Sequence, residues 1–298
     1  MRLMTVLDRP IERQRKKTLA VNEVSLVAVD LDGTLLTSAG SVAPEGAHLL
    51  RLAARQGVRV VLATSRNPDA VRFFCRLLEI NDPIICTNGA QVWASPDGPV
   101  WAHHAIPRQV ALTLAEWADM HDWELSVTVG ATTYWRQRPG QALGPITPHV
   151  TVVSTNADAI TGDPLRMLAH QPEAINSLRS LCQQFPAQCY AELHCKPDGT
   201  AHSLGMFAPS ADKGTALALV CERLGIGREN VMAIGDNIND LPMFPHAQLS
   251  VTMGNAPQVV KQKVNIIAPS NDEEGVAWAL QRFVLTEKHG VKRSGKGE

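Results

Sequence analysis

Two carboxylates one residue apart, Asp30 and Asp32, close the apolar run Val24-Ser25-Leu26-Val27-Ala28-Val29. Just past a buried strand, such a pair can divide the work of phosphoryl transfer. Asp30 can attack phosphorus while Asp32 hands a proton to the leaving oxygen. Gly33 beside them suits a tight backbone turn. Three further stretches could join this chemistry. Thr64-Ser65-Arg66 lies between an apolar run and Asn67-Pro68, where a hydroxyl and unpaired backbone N–H groups can hold phosphate oxygens. Lys213 opens a helix after Asp212 and can neutralise a phosphate and a developing aspartyl phosphate. In Gly235-Asp236-Asn237-Ile238-Asn239-Asp240, Asp236 can bind a hard cation together with Asp30, and Asn239 and Asp240 can support that shell. Magnesium suits such a set because it takes few carboxylates and keeps water and phosphate oxygens. Singly, each stretch has a plainer explanation: Asp-x-Asp can be a turn or a helix cap, and Lys213 a solvated helix residue. Capping does not explain all four together.

The elements that must position these groups follow a regular rhythm. Residues 24–29, 58–63 and 84–86 are short apolar runs that read as strands buried on both faces. Residues 44–56 read as a helix stopped by Gly57. After the cap Asn67 and Pro68, the apolar Val71, Phe74, Cys75 and Leu78 fall at helical spacing. A second helix face is formed by Ala216, Leu219, Val220 and Leu224, ended by Gly225. Strands are expected again over 231–234, 249–251 and 265–267. This alternation predicts an α/β fold with a Rossmann-like parallel-sheet core and right-handed crossovers. In open parallel sheets, ligands collect beyond the carboxyl ends of the strands, where all four stretches fall. Between Trp101 and Cys195 the rhythm breaks. Alternating segments such as Leu125-Ser126-Val127-Thr128-Val129 point to an inserted α+β cap domain. The expected division is a basic N-terminal extension (1–23), a core (24–100 and 196–285), the cap (101–195) and a C-terminal tail (286–298).

The sequence Asp30-Leu31-Asp32-Gly33-Thr34-Leu35-Leu36 resembles the first motif of the haloacid dehalogenase-like hydrolase superfamily. Thr64, Lys213, and Gly235-Asp236 with Asn239-Asp240 match its other three. Thr87-Asn88-Gly89-Ala90, Met253-Gly254-Asn255-Ala256, and Ser270-Asn271 with Glu274-Gly275-Val276-Ala277 further resemble the Cof-type phosphatases, whose cap lies between the second and third motifs. The resemblance implies Asp30 as nucleophile and metal ligand, and Asp32 as general acid–base and ligand through its backbone carbonyl. It implies Asp236 as third ligand of Mg2+, with Asp240 behind it. Leu31 through its backbone, Thr64, Ser65, Lys213 and Asn239 would contact the phosphoryl group. Ser65 departs from the pattern, standing where the family commonly has Gly. Its N–H survives, but its side chain must avoid the phosphate or add a donor to it.

The expected activity is hydrolysis of a small phosphorylated metabolite (sugar phosphate, nucleotide or cofactor phosphate) through a phospho-aspartate. A phosphomutase with the same nucleophile is the alternative. A non-catalytic regulatory or binding protein that keeps the fold is the alternative of another class. Lys plus Arg is 28 against 29 for Asp plus Glu, so the net charge of -1 gives no reason to expect nucleic acid or a membrane as partner. The longest apolar runs are too short to span a bilayer, and a cytoplasmic enzyme is expected. Six scattered cysteines without a C-x-x-C pair point to reduced, packed thiols. Arg2, Arg9, Arg13, Arg15, Lys16 and Lys17 make the N-terminal extension basic, as a disordered segment or an arm for an acidic partner. His103-His104 and His194-x-Lys196 lack further ligands at zinc spacing and are expected to be ordinary cap residues. The tryptophans are expected to pack rather than to stack on bases.

Overall fold

The computed structural model describes residues 23–136, 150–195 and 200–285. Most of the basic N-terminal extension, the C-terminal tail and Lys196 lie outside them. The chain opens with β1 (Leu26–Val29), α1 (Pro44–Arg55), β2 (Arg59–Ala63), α2 (Pro68–Leu78), β3 (Ile84–Cys86), β4 (Gln91–Trp93) and β5 (Val100–His103). It returns to the same sheet after the insert, through α5 (Lys213–Leu224), β12 (Val231–Gly235), β13 (Leu249–Thr252), α6 (Gln258–Lys261), β14 (Ile266–Ile267) and α7 (Gly275–Phe283). Among the described residues this sheet runs in the order β14-β13-β12-β1-β2-β3-β4-β5, parallel from β14 to β3. Its last two strands are antiparallel, an edge that the expectation of a parallel sheet did not include.

Strand β1 shows why the apolar runs are continuous. Val27 and Val29 pack into the cluster that holds Leu49, Leu50, Phe74 and Leu280. Leu26 and Ala28 point the other way, into a cluster with Leu217, Val220 and Phe244. Both faces are covered by helices, so every position must be apolar. Local signals then set the helix ends. Asn67 Oδ1 accepts Ala70 N–H at 2.9 Å at the start of α2, and Asp212 Oδ1 accepts Gly214 and Thr215 N–H at 2.8 Å at the start of α5.

Helix α1 has no capping side chain of its own. Glu274 supplies the cap from far along the chain, accepting Glu45 N–H at 3.0 Å and Gly46 N–H at 2.9 Å. A carboxylate on the positive end of a helix dipole satisfies otherwise orphaned donors. Glu274→Ala is therefore expected to lower stability by about 1–2 kcal/mol. Urea titration checks this, and an unchanged midpoint would dismiss the cap.

The insert builds a second sheet from β6 (Leu125–Val129), β7 (Thr132–Arg136), β8 (Val150–Val153), β9 (Arg166–Ala169), β10 (Tyr190–Cys195) and β11 (Ala201–Phe207). Its order is β10-β11-β9-β6-β7-β8, antiparallel except between β7 and β8. Leu125, Val127, Met167, Ala169, Leu204 and Met206 face α3 (Arg108–Met120) and α4 (Pro172–Cys182). By the period-two alternation, Thr128, Arg166, Glu192, His194 and Ser203 occupy the opposite face.

Strand pairing divides the sheets at other residues than 101 and 195. Trp101 and His103 lie in β5 of the first sheet, where Gln91 Nε2 meets His103 Nδ1 at 3.2 Å, so His103 is not a cap residue. Strand β11 belongs to the second sheet. Alternation reveals a strand but not its partner. Cys182 and Cys189 also meet, Sγ to Sγ at 2.7 Å. Trp93 and Trp101 stack under Arg72 and Arg223, at 4.6 and 5.7 Å. No helix among the described residues is long and apolar enough to cross a membrane.

Candidate active site

The central strand delivers the first carboxylate. Asp30 N–H donates to Ile234 O at 3.0 Å, prolonging the pairing of β1 with β12 by one residue. Its side chain therefore emerges beside the end of β12, where Asp236 follows. The turn after Asp30 brings Gly33 against Asp236 with φ at +80°. A Cβ there would collide with the Asp236 carboxylate, so both the conformation and the space demand glycine. Thr34 Oγ1 donates to Asp236 Oδ1 at 2.8 Å. Asn255 Nδ2 donates to Gly33 O at 2.9 Å and itself is held by Asn271 N–H on Oδ1 at 3.1 Å. Those two asparagines belong to the motifs quoted above, and their work is to fix this turn.

Lys213 is fully buried at the start of α5 and forms two ion pairs, with Asp30 Oδ1 and Asp240 Oδ1, each at 2.7 Å. Asp240 Oδ2 accepts the backbone N–H groups of Asp236 and Asn237, each at 2.9 Å. Its two oxygens thus shape the loop that presents Asp236. Carboxylate oxygens of Asp30, Asp236 and Asp240 lie within 4.8 Å of one another. Burial raises Asp30 well above the usual carboxylate range, against the pull of Lys213. Burial, then Asp240, push Asp236 up to about 7. Burial alone would lower Lys213, but Asp240 and Asp30 outweigh it and hold the ammonium above the ordinary lysine value. Three buried carboxylates thus share one buried ammonium, a charge imbalance that a divalent cation would relieve.

Asp32 points elsewhere. It is half exposed and held by a two-pronged pair, Arg66 Nε to Oδ2 at 2.8 Å and Arg66 Nη2 to Oδ1 at 2.6 Å. Arg66 N–H donates to Thr64 Oγ1 at 3.2 Å, so the Thr64 loop and Asp32 are tied together. Ser65 O accepts Arg166 Nη1 at 2.8 Å from the second sheet. Leu31 is buried, its carbonyl accepting Leu36 N–H at 2.8 Å. Asn239 Nδ2 donates to Asn88 Oδ1 at 3.1 Å. Asn88 Nδ2 in turn reaches Tyr190 Oη at 3.2 Å and Glu192 Oε2 at 3.1 Å. Thr87, Asn88 and Gly89 all have positive φ (50°, 57° and 91°), an unusual run in which the β-branched Thr87 is the strained member. The run lets Thr87 and Asn88 N–H donate to Arg66 O and Thr64 O, at 2.8 and 3.0 Å.

The structure thus gathers Asp30, Asp236, Asp240 and Lys213 into one buried cluster, while Asp32 and the Thr64 loop are joined through Arg66, and Asn239 is bonded to Asn88. Sequence reasoning gave no role to Arg66, Asn88, Arg166, Tyr190 or Glu192. Arg66 and Asn88 stood inside quoted motifs, which was the available signal. The cap residues carried none.

A family model described as haloacid dehalogenase-like hydrolase matches residues 27–280. The chain is similar to the 5-amino-6-(5-phospho-D-ribitylamino)uracil phosphatase YcsE of Bacillus subtilis, with 30% identity over 88% of this chain and 97% of that one. It is similar to the pyridoxal phosphate phosphatase YbhA of Escherichia coli, with 27% identity over 87% and 98%. Among solved structures, a haloacid dehalogenase-like hydrolase from Bacteroides thetaiotaomicron superposes with a TM-score of 0.76, at 26% identity over 87% of this chain and 99% of that one.

Proposed function

Because this chain belongs to the haloacid dehalogenase-like hydrolase family, as a Cof-type phosphatase of small phosphate monoesters, we propose that Asp30 is its nucleophile and Mg2+ its cofactor. The observation that carries this reading is the placement of Asp30, buried at a strand end with Lys213 Nζ 2.7 Å from one carboxylate oxygen. Lys213 holds Oδ1 and leaves Oδ2 to attack phosphorus. The ester P–O bond breaks, its electron pair stays on the leaving oxygen, and Asp32 supplies that oxygen with a proton. Water then attacks the aspartyl phosphate, gives a proton back to Asp32, and releases phosphate and Asp30.

Asp32 must let go of Arg66, or turn within the pair, to reach the leaving oxygen. Arg66 therefore acts as a positioning residue that keeps the acid at the mouth of the site. Thr64 Oγ1, the Ser65 and Leu31 backbone N–H groups, Asn239 and Lys213 hold the phosphoryl oxygens in this reading. Asp30 and Asp236, with the Asp32 carbonyl, would hold a divalent cation, which supplies charge neutralisation between carboxylate and phosphate. The relatives' names point to a phosphorylated metabolite such as pyridoxal phosphate or 5-amino-6-(5-phospho-D-ribitylamino)uracil.

Two measurements test the assignment. Phosphate release from an aryl phosphate and from a panel of metabolite phosphates should occur with Mg2+. Chelation should lower it by about 100-fold or more, and Mg2+ should restore it better than Ca2+, whose larger shell fits a looser site. Full activity in metal-stripped protein would rule out the cation.

A further inference from the structure

The helix-free face of the second sheet holds a cationic group with no anion to match. Arg166, on β9, gives Nη1 to Ser65 O, which places its guanidinium over the loop next to Thr64. Its Nε is buried and has no hydrogen-bond partner among the described residues. Burial lowers Arg166 to about 10, and among the described residues no carboxylate offsets that. Two imidazoles, His194 in β10 and His170 just after β9, feel its charge. Burial brings His194 down to about 4, and His202, Arg166, His170 and Lys213 each push it further the same way. Burial, His202 and Arg166 lower His170 as well. Ser203 Oγ lies 3.1 Å from His194 Nδ1 and 2.9 Å from His202 Nδ1.

The acid on this face, Glu192, is engaged with the first domain's side. It accepts Asn88 Nδ2, and the charges that act on it are Lys213 and Asp240. A metal does not account for the imidazoles. The one cluster of ligating side chains among the described residues is Asp30, Asp236 and Asp240. An unpaired buried donor on a guanidinium is stabilised by a bound anion.

We propose that Arg166 anchors a subsite for a second anionic group on the leaving group, either a carboxylate or a further phosphate. This rests on the phosphatase reading above and adds the chemistry of the leaving group to it. Arg166 stands next to the Thr64-Ser65 loop through its bond to Ser65 O. One substrate thus spans both sites, its first phosphate at Asp30 and its second anion at Arg166. Neutral phosphates of similar size lose that second anchor. A charge-assisted hydrogen bond of this kind is worth about tenfold or more in binding.

Three probes with Mg2+ test this: 6-phosphogluconate and fructose 1,6-bisphosphate, which carry a second anion, and glucose 6-phosphate, whose leaving group is neutral. The expected result is a kcat/KM at least tenfold higher for one or both anionic probes, and which of the two is preferred identifies the carboxylate or the phosphate as the second anion. In Arg166→Gln that ratio of anionic to neutral substrate should fall about tenfold, chiefly through KM. In Arg166→Lys, which keeps the charge and loses the fork, it should fall less. A wild-type ratio near one, or a ratio unchanged in Arg166→Gln, overturns the subsite. Calorimetric binding of the same probes to Asp30→Asn protein separates the two readings. Preferential anionic binding without turnover by wild-type enzyme sinks the phosphatase reading and keeps the subsite. Equal binding of all three sinks the subsite whatever the turnover.

Discussion

Asp30→Asn is expected to abolish phosphate release, by at least about 10^4-fold in kcat, while the protein stays folded. The amide keeps an oxygen at the position that accepts Lys213 Nζ and removes only the anionic nucleophile. The folded state should not suffer. Burial already works against ionisation of Asp30, and a neutral side chain there leaves one less buried charge for Lys213 to balance. The informative result is therefore a pair of measurements: turnover lost and denaturation midpoint equal to or above that of the wild type. Release above about one per cent of the wild-type rate would remove Asp30 from the nucleophile's role, since loss of a nucleophile costs several orders of magnitude.

Lys213→Met should have the opposite profile and hurt stability as much as activity. Lys213 has no exposure and answers both Asp30 and Asp240, so its removal strands two buried carboxylates. Breaking a buried ion pair from one side costs about 3–5 kcal/mol, a large share of a domain's total stability. Adding Asp240→Asn to this variant should return part of the stability and none of the activity, because the amide no longer needs a cation while Asp30 still lacks its partner. Chemical denaturation of the single and double variants measures both terms. A single-variant loss below about 1 kcal/mol would mean that Asp30 and Asp240 accept protons readily in its absence and that Lys213 is not their counter-charge.

What the sequence revealed and what it hid follow from the range of the interactions. The apolar strands of the first sheet are legible because burial on both faces leaves no alternation to misread, as in β1. Asp30, Asp236 and Lys213 are legible because each stands at the end of such a run or at a capped helix start. The Arg66–Asp32 fork was hidden, although both residues lay inside recognisable stretches. Nothing local says that a guanidinium after β2 folds back on a carboxylate after β1. Arg166 was hidden more deeply. Its position opposite Ser65 depends on the pairing of β9 with β6 and β11 and on how that sheet sits over the first one. Which sheet β5 and β11 join is hidden for the same reason, since alternation marks a strand and register chooses its partner.

The pairing of β1 between β2 and β12 has a consequence for how the enzyme comes into being. Thr34 and the Asp236 it supports are separated by 202 residues, and the cap on α1 arrives later still, with Glu274. A growing chain that has completed β1, β2 and β3 therefore carries Asp30 with no counter-charge and a central strand with one bare edge. Until β12 leaves the ribosome, that edge can recruit a strand from another chain. Most of the second sheet and both of its helices are finished first and can close on their own core. Synthesis thus completes the second sheet before Lys213, Asp236 and Asp240 have been made.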